Sequence, residues 1–432
     1  MYIPARLWTS VETEEVIKST GIHIDASDPV AVEIHQKKTA LKRRAVDTRE
    51  LPCQIISQVR ATTSTATAGR LECDKALARI IQRARERTGA PNSVFHTRAQ
   101  IEIPYELSVY ESAPGLTEQF LLGDSGEEDP ERIFIFGREE PQNWIHTVQN
   151  IYVDGTFSLA YELFAQICVI LAERPGCVTP VAYALLPNKS RPTYVKMIEL
   201  LRQKWPNFQP TAISVDFEIS LINAFREVFP QAEIRGCFFH LTQSVKRKVQ
   251  EEGLQTQCRD ADFAHSARMI PALAFLPPNQ VEQGLEELRN NLPQELSPVL
   301  DYFEDYYLGR LQVQNGALIR RAALFPVEQW TVHQRTLDGE SRTNNYAEAS
   351  HRKLQGHFTC QHPSLFDFIK GLQDAQHSRD GQLERYVAGA EPAQRRNQYV
   401  ENDRAILRIL NTMQNRTLLQ VLRGIAHHYL MF

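Results

Sequence analysis

Asp154 sits where a carboxylate is costly. The stretch "IYVDGTFSLA", residues 151–160, otherwise reads as a strand, with Ile151, Val153 and Phe157 as β-prone apolar bulk and Gly155 beside the charge. An ionised carboxylate buried there costs several kcal/mol unless it is paired or holds a cation. A second acid, Asp216, closes the apolar run "TAISVDF" 62 residues further on. It also fits a helix cap, because "EISL" follows; Asp154 has strand character on both sides and fits that role poorly. Two carboxylates side by side cannot both stay ionised without a cation, and an oxygen-rich acidic pair suits Mg²⁺ or Mn²⁺. The third acid is Glu348 in "SRTNNYAEASHRKL", residues 341–354. Asn345 and Glu348 have capping-box spacing, a wholly structural reason for both. Thr343, Asn344 and Asn345 nevertheless crowd polar groups at that helix start, and His351 and Arg352 share a face with Glu348.

The elements that must bring these acids together begin at residue 150. "NIYVDGTFSL", "LFAQICVILA" and "GCVTPVAYALLP" are successive apolar, β-branched-rich runs joined by short turns, as in an antiparallel meander. "SRPTYVKMIELLRQKW" opens on the helix-start residues Ser190 and Pro192 and repeats Tyr194, Ile198 and Leu201 at helical spacing. "TAISVDF" is a fourth strand, "EISLINAFREVF" a helix and "AEIRGCFFH" a fifth strand. The order is βββαβαβ, and a right-handed crossover sets strand one beside strand four, hence Asp154 beside Asp216. Residues 241–335 and most of 344–432 read as helical. The expected fold class is therefore mixed α/β, its core interrupted by an all-α insertion and preceded by a helical basic segment.

At 432 residues the chain exceeds what one core supports, so two or three domains are expected. No apolar run is long enough to span a membrane and "MYIPARLWTS" lacks a signal-type apolar region, so a soluble intracellular protein without a membrane partner is expected. Seven scattered cysteines (53, 73, 168, 177, 237, 258 and 360) without CxxC spacing read as reduced thiols. The net charge of −4 hides an asymmetry: residues 35–98 hold 14 Lys and Arg against 5 Asp and Glu, a net +9, leaving −13 elsewhere. Clustered cations gain affinity for polyanions by releasing counterions, although solvated helix faces give the same pattern. In "CDKALARIIQRARER", Leu77, Ile80, Ile81 and Ala84 form an apolar stripe, while Arg79, Arg83 and Arg87 recur every fourth residue on another face.

Together "VDGTF", "PVAYALLPNKSRPTY", "SVDFEIS", "GCFFH" and "RTNNYAEASHRKL" resemble, in order, the transposases of Mutator-like elements, the MULE domain, over about residues 101–432. The resemblance implies an RNase H-like core with a DDE triad on Asp154, Asp216 and Glu348, and a helical insertion between the last two. It also sets the family's Cys/Asp-x-x-His motif on Cys237 and His240. Two Mg²⁺ or Mn²⁺ ions per site would then activate the attacking oxygen and stabilise the leaving one. Gly155, Cys237, His240, Asn344, Asn345 and His351 are supporting positions. Gly155 leaves room for substrate backbone, and His351 reads either as a phosphate contact or as an exposed helix residue. Zinc is not expected, since Cys237 and His240 lack a second ligand pair. Glu218 and the acids of "DYFEDYY" (Asp301, Glu304, Asp305) are rival carboxylates, the last three read as insertion surface. Residues 1–30 resemble the tail of a FLYWCH zinc finger, without the cysteine expected near Ile3 and with only His23 of the usual histidine pair.

The implied organisation is a finger remnant (1–30), basic helices (31–98), a mixed lead-in (99–149), the core (150–240), the helical insertion (241–340), and a core helix with the third acid plus C-terminal helices (341–432). Double-stranded DNA is the expected partner, as transposon ends and target, in a homodimer or larger assembly in the nucleus. Lys37, Lys38, Lys42, Arg43, Arg44, Arg79, Arg83, Arg87, Lys246, Arg247, Lys248 and Arg352 are its expected contacts. The expected activity is metal-dependent end cleavage and strand transfer. A domesticated transposase kept as a DNA-binding or chromatin factor, or a purely hydrolytic nuclease, are the other classes.

Overall fold

The computed structural model describes residues 6–9, 16–20, 28–48, 50, 52–88, 95–157, 159–175, 177–314, 317–343, 345–358, 363–389 and 397–431. The chain divides into two compact units, residues 1–92 and 93–432.

In the smaller unit a hairpin pairs Arg6–Thr9 with Val16–Thr20; His23 and the rest of 1–27 lie outside the described residues, so the finger resemblance goes no further. Three helices follow, α1 (Pro29–Asp47), α2 (Pro52–Ala61) and α3 (Asp74–Thr88). Asp28 caps α1 by accepting from the Ala31 amide, with Pro29 in the first turn. The helices close on Leu41, Ile55, Ile56, Leu77 and Ile81, so the apolar stripe of α3 faces inward.

The larger unit is built on a seven-stranded mixed sheet. Its strands are β1 (Leu121–Asp124), β2 (Phe134–Phe136), β3 (Asn150–Thr156), β4 (Gln166–Arg174), β5 (Cys177–Leu186), β6 (Ala212–Val215) and β7 (Glu233–Gly236), in spatial order β7-β6-β3-β4-β5-β2-β1. β3, β4 and β5 form the expected antiparallel meander. α4 (Arg191–Lys204), capped by Ser190 with Pro192 in its first turn, leads from β5 to β6, and α5 (Ile219–Val228) from β6 to β7. β6 lies parallel to β3, as the right-handed crossover requires. The sheet also starts earlier than residue 150: β1 and β2 extend it beyond β5.

Side chains alternate across the sheet and divide its core in two. Ile151, Val153, Cys168 and Ile170 join the cluster under α4, α5 and α6 (Phe238–Glu251); Tyr152, Ile167, Val169 and Leu171 join the cluster under the later helices α10 (Asn345–Gly356) and α11 (Leu365–Val387).

Two expectations need correction. "AEIRGCFFH" is not one strand: β7 stops at Gly236, Cys237 is the N-cap of α6, and Phe238, Leu241, Val245 and Val249 are its buried face. A 3- to 4-residue apolar repeat overrode the β-prone "CFF". Nor is the insertion all helical. Beside α7 (Ala261–Ala272), α8 (Val281–Asn291) and α9 (Ser297–Phe303) it carries an antiparallel pair, Leu311–Gln314 with Ala317–Arg320. The sequence joining those strands, Asn315-Gly316, is a preferred two-residue hairpin turn, and Leu311 and Val313 alternate with glutamines. After it come α10 (Asn345–Gly356), α11 (Leu365–Val387), α12 (Asn397–Asn411) and α13 (Leu418–Ala426).

Candidate active site

Parity places Asp154 on the α10 side of β3, two residues past Tyr152, at the level of Val169 on β4. Ser214 on β6 pairs with Tyr152, and Asp216 lies two residues past Ser214. β6 ends at Val215, and Asp216 is the first residue past it, at the same end of the sheet as Asp154 in the neighbouring parallel strand β3. Asp154 is 6% exposed. Asp216 Oδ1 is buried and has no hydrogen-bond partner among the described residues. Burial first, then the Glu218 charge, pushes the Asp216 carboxyl up to about 6, against the pull of Lys189 and Arg247.

Glu218 was a rival carboxylate by sequence, and its surroundings separate it from Asp216. Its oxygens are occupied: the Tyr194 hydroxyl donates to one at 2.6 Å and Lys189 Nζ to the other at 2.9 Å. Gln166 on β4 donates in turn to the Tyr194 hydroxyl at 2.5 Å. This chain explains Gly155 without a substrate, since a Cβ there would stand 2.8 Å from Gln166 Oε1. Burial and the charges of Asp216, Asp154 and Glu218 drive the Cys168 thiol well up, so it is a protonated core residue rather than a nucleophile.

α10 packs on β3 and β5, and its His351 reaches Asp154. Ala347, Ser350 and Leu354 are buried on it, and Tyr346 meets Tyr152 edge to face with ring centroids 5.7 Å apart. His351 Nδ1 lies 3.5 Å from Asp154 Oδ2, and His240 Nε2, in the first turn of α6, lies 3.8 Å from Oδ1. Burial lowers both imidazoles to about 4, with help from Arg247 and His351 at His240. They are therefore neutral at pH 7, and His240 Nδ1 and His351 Nε2 are buried without partners among the described residues. His351 is thus neither an exposed helix residue nor set apart from the acids; it shares the inward face of Ala347 and Leu354.

Glu348 stands on α10 one turn before His351. Its side chain, that of Asn345, and Asn344 altogether lie outside the described residues. Among the described residues no three His, Cys, Asp or Glu side chains are grouped to hold a metal. Two carboxylates, one with a buried unpartnered oxygen, are nevertheless the donor type that a hard divalent cation takes. The remaining acids are engaged elsewhere: Arg289 bridges Asp301 and Glu304, Arg320 also reaches Glu304, and Arg310 pairs with Asp305.

Several of the expected DNA contacts have partners inside their own unit. Lys38 bonds Glu72, Arg44 bonds Glu50, Arg43 faces Asp47 at 3.4 Å, and Lys37 donates to the Thr62 hydroxyl at 3.0 Å. Lys42, Arg79 and Arg83 are exposed and make no ion pair among the described residues; the Arg87 side chain lies outside them. In the larger unit Lys248 pairs with Glu252 at 2.6 Å, Lys246 is partly exposed, and Arg247 and Arg352 are exposed. Among the described residues no helix is long and apolar enough to cross a membrane.

Residues 150–244 match the family model of the MULE transposase domain. The matched segment contains Asp154, Asp216, Cys237 and His240; Glu348 falls outside it. No curated protein matches the chain. The match supports a relationship to Mutator-like transposases and a transposase-related function.

Proposed function

We propose that the larger unit is the catalytic part of a Mutator-like DNA transposase of RNase H-like fold, cutting and joining DNA at Asp154, Asp216 and Glu348. The observation that carries this reading is the parallel pairing of β3, which holds Asp154, with β6, which Asp216 directly follows, within a segment matching the MULE transposase domain. Asp154 and Asp216 would hold Mg²⁺ or Mn²⁺, with Glu348 as the further carboxylate. When bound, such ions lower the pKa of an attacking hydroxyl and stabilise a leaving oxygen.

The chain's own groups have separate tasks. Asp216, at about 6, is mostly ionised at pH 7 and protonated in mild acid. Glu218, tied to Tyr194 and Lys189, keeps a fixed charge beside it. Neutral His240 and His351 line Asp154 without a competing positive charge, and Val169, its buried cross-strand neighbour on β4, adds apolar surface beside it.

The DNA substrate, a homodimeric or larger complex and nuclear action follow from this reading. Its test is nicking of supercoiled plasmid and joining of an oligonucleotide 3′ end, each with Mg²⁺. Asp154→Asn and Asp216→Asn should each abolish both reactions while duplex binding persists. Cleavage at the wild-type rate in either variant would remove the mechanism, whereas wild-type protein that binds duplex but neither nicks nor joins it would leave the domesticated, non-catalytic alternative.

A further inference from the structure

A second polar site lies away from the sheet. An open cavity of about 560 Å³ is lined by Asn415, Arg416, Gln420, Arg423 and His427, at the junction of α12 and α13, and no carboxylate lines it. Arg416, Arg423 and His427 are exposed. Neither arginine forms an ion pair among the described residues; Arg416 Nε donates only to the Thr412 hydroxyl at 3.3 Å. Behind the cavity His427 stacks on His265 of α7 with ring centroids 3.9 Å apart, and both His265 nitrogens are buried without partners. Arg268, one turn further along α7, donates to the Ala426 carbonyl and so stands against the end of α13.

The local potential is positive. Burial first, then His427, Arg268 and Arg423, lowers His265 to about 4, against one opposing acid, Asp262. Unpaired guanidinium groups in such a setting favour phosphate, whose oxygens match their forked donors.

A second cavity, of about 360 Å³, is lined by Lys246, Gln250, Gln255, Thr256, Cys258 and Arg259, again without a carboxylate. Arg268 links the two, because its charge acts on Cys258 as well as on His265. Two open cavities lined by basic side chains suit a polymer with repeated phosphates better than a single compact anion.

We infer that the cavity of Arg416, Arg423 and His427 is a binding site for backbone phosphates of duplex DNA, continued past α7 to Lys246 and Arg259. The inference rests on the proposal that the chain handles DNA. The site requires no metal ion, which separates its test from that of catalysis.

The test is fluorescence anisotropy with a labelled duplex in EDTA over a salt series, comparing wild-type protein with the double variant Arg416→Gln/Arg423→Gln. Both side chains are exposed, and thermal unfolding checks that the variant is folded. Loss of two phosphate contacts should flatten the slope of log affinity against log salt by roughly 2 and weaken binding about tenfold or more near 0.1 M salt. Arg259→Gln should flatten it by roughly 1 more. An unchanged slope in the folded double variant would overturn the inference while leaving the proposed function standing. Pyrophosphate binding that the double variant loses, with duplex binding intact, would also overturn it and assign the cavity to a small phosphate compound. Wild-type protein that fails to bind any duplex would overturn the inference and the proposed function together.

Discussion

Replacing Asp216 by Asn should stabilise the metal-free protein at neutral pH and erase its response to divalent cations. Its carboxyl is pushed from 3.8 to about 6, a rise of about 2 units or roughly 3 kcal/mol at 1.36 kcal/mol per unit. An amide must still be buried there, so the observable gain is about 1 to 2 kcal/mol. The sign follows from linkage. The folded state holds this proton more tightly than the unfolded chain, so the group's penalty is absent below about pH 4, grows as pH rises through 6 and is complete above. The Asp216→Asn advantage should accordingly be full at pH 8 and gone at pH 4. Trp144, Trp205 and Trp330 belong to the larger unit and Trp8 to the smaller, so tryptophan fluorescence during thermal unfolding reports mainly on the larger one. In EDTA at pH 8 the variant should melt a few degrees above wild type. With Mg²⁺ or Mn²⁺ at a hundredfold excess over its dissociation constant, wild type should gain about 2.7 kcal/mol and the variant nothing. A variant less stable than wild type at pH 8 in EDTA would refute the reasoning, because Asp216 would then have a favourable partner in the metal-free fold.

Further outcomes follow from the same contacts. Glu218→Gln removes the second cause of the Asp216 shift, so the acid limb of divalent-cation binding, followed calorimetrically against pH, should move to lower pH; an unmoved limb would mean burial acts alone. Gly155→Ala drives a Cβ to 2.8 Å from Gln166 Oε1 and should cost about 1 kcal/mol in chemical denaturation by displacing Gln166 from Tyr194. Equal stability would show that Gln166 moves freely. Arg79→Gln/Arg83→Gln should flatten the salt dependence of duplex binding by roughly 2, whereas an identical slope would make that face of α3 a solvated surface.

The core was legible because its signals are local. Each strand is a β-branched run closed by a turn, Ser190 and Pro192 announce α4, and β6 pairs parallel to β3 as the crossover rule expects. What escaped depends on partners distant in the chain. Nothing near Lys38 or Arg60 shows that Glu72 and Asp74 will engage them, so the count of +9 overstates the free charge. Nor did "FLLGD" and "IFIFG", though readable as strands, show that they would lengthen the same sheet. Two misses had usable signals: Asn315-Gly316 marked a hairpin inside a segment read for helical period alone, and the spacing of Ala347, His351 and Leu354 marked His351 as inward-facing. The Glu218–Tyr194–Gln166 chain joins three elements and becomes visible only once β4, α4 and the β6–α5 turn are in place.

The central claim is that Asp154, Asp216 and Glu348 converge on divalent cations, and Mn²⁺ binding followed by electron paramagnetic resonance tests it most directly. Wild-type protein should deplete the free-ion signal with a defined stoichiometry. Asp154→Asn and Asp216→Asn should abolish that depletion, and Glu348→Gln should weaken or reduce it, with circular dichroism confirming that each variant is folded. Mn²⁺ uptake identical in wild type and all three folded variants would contradict the account.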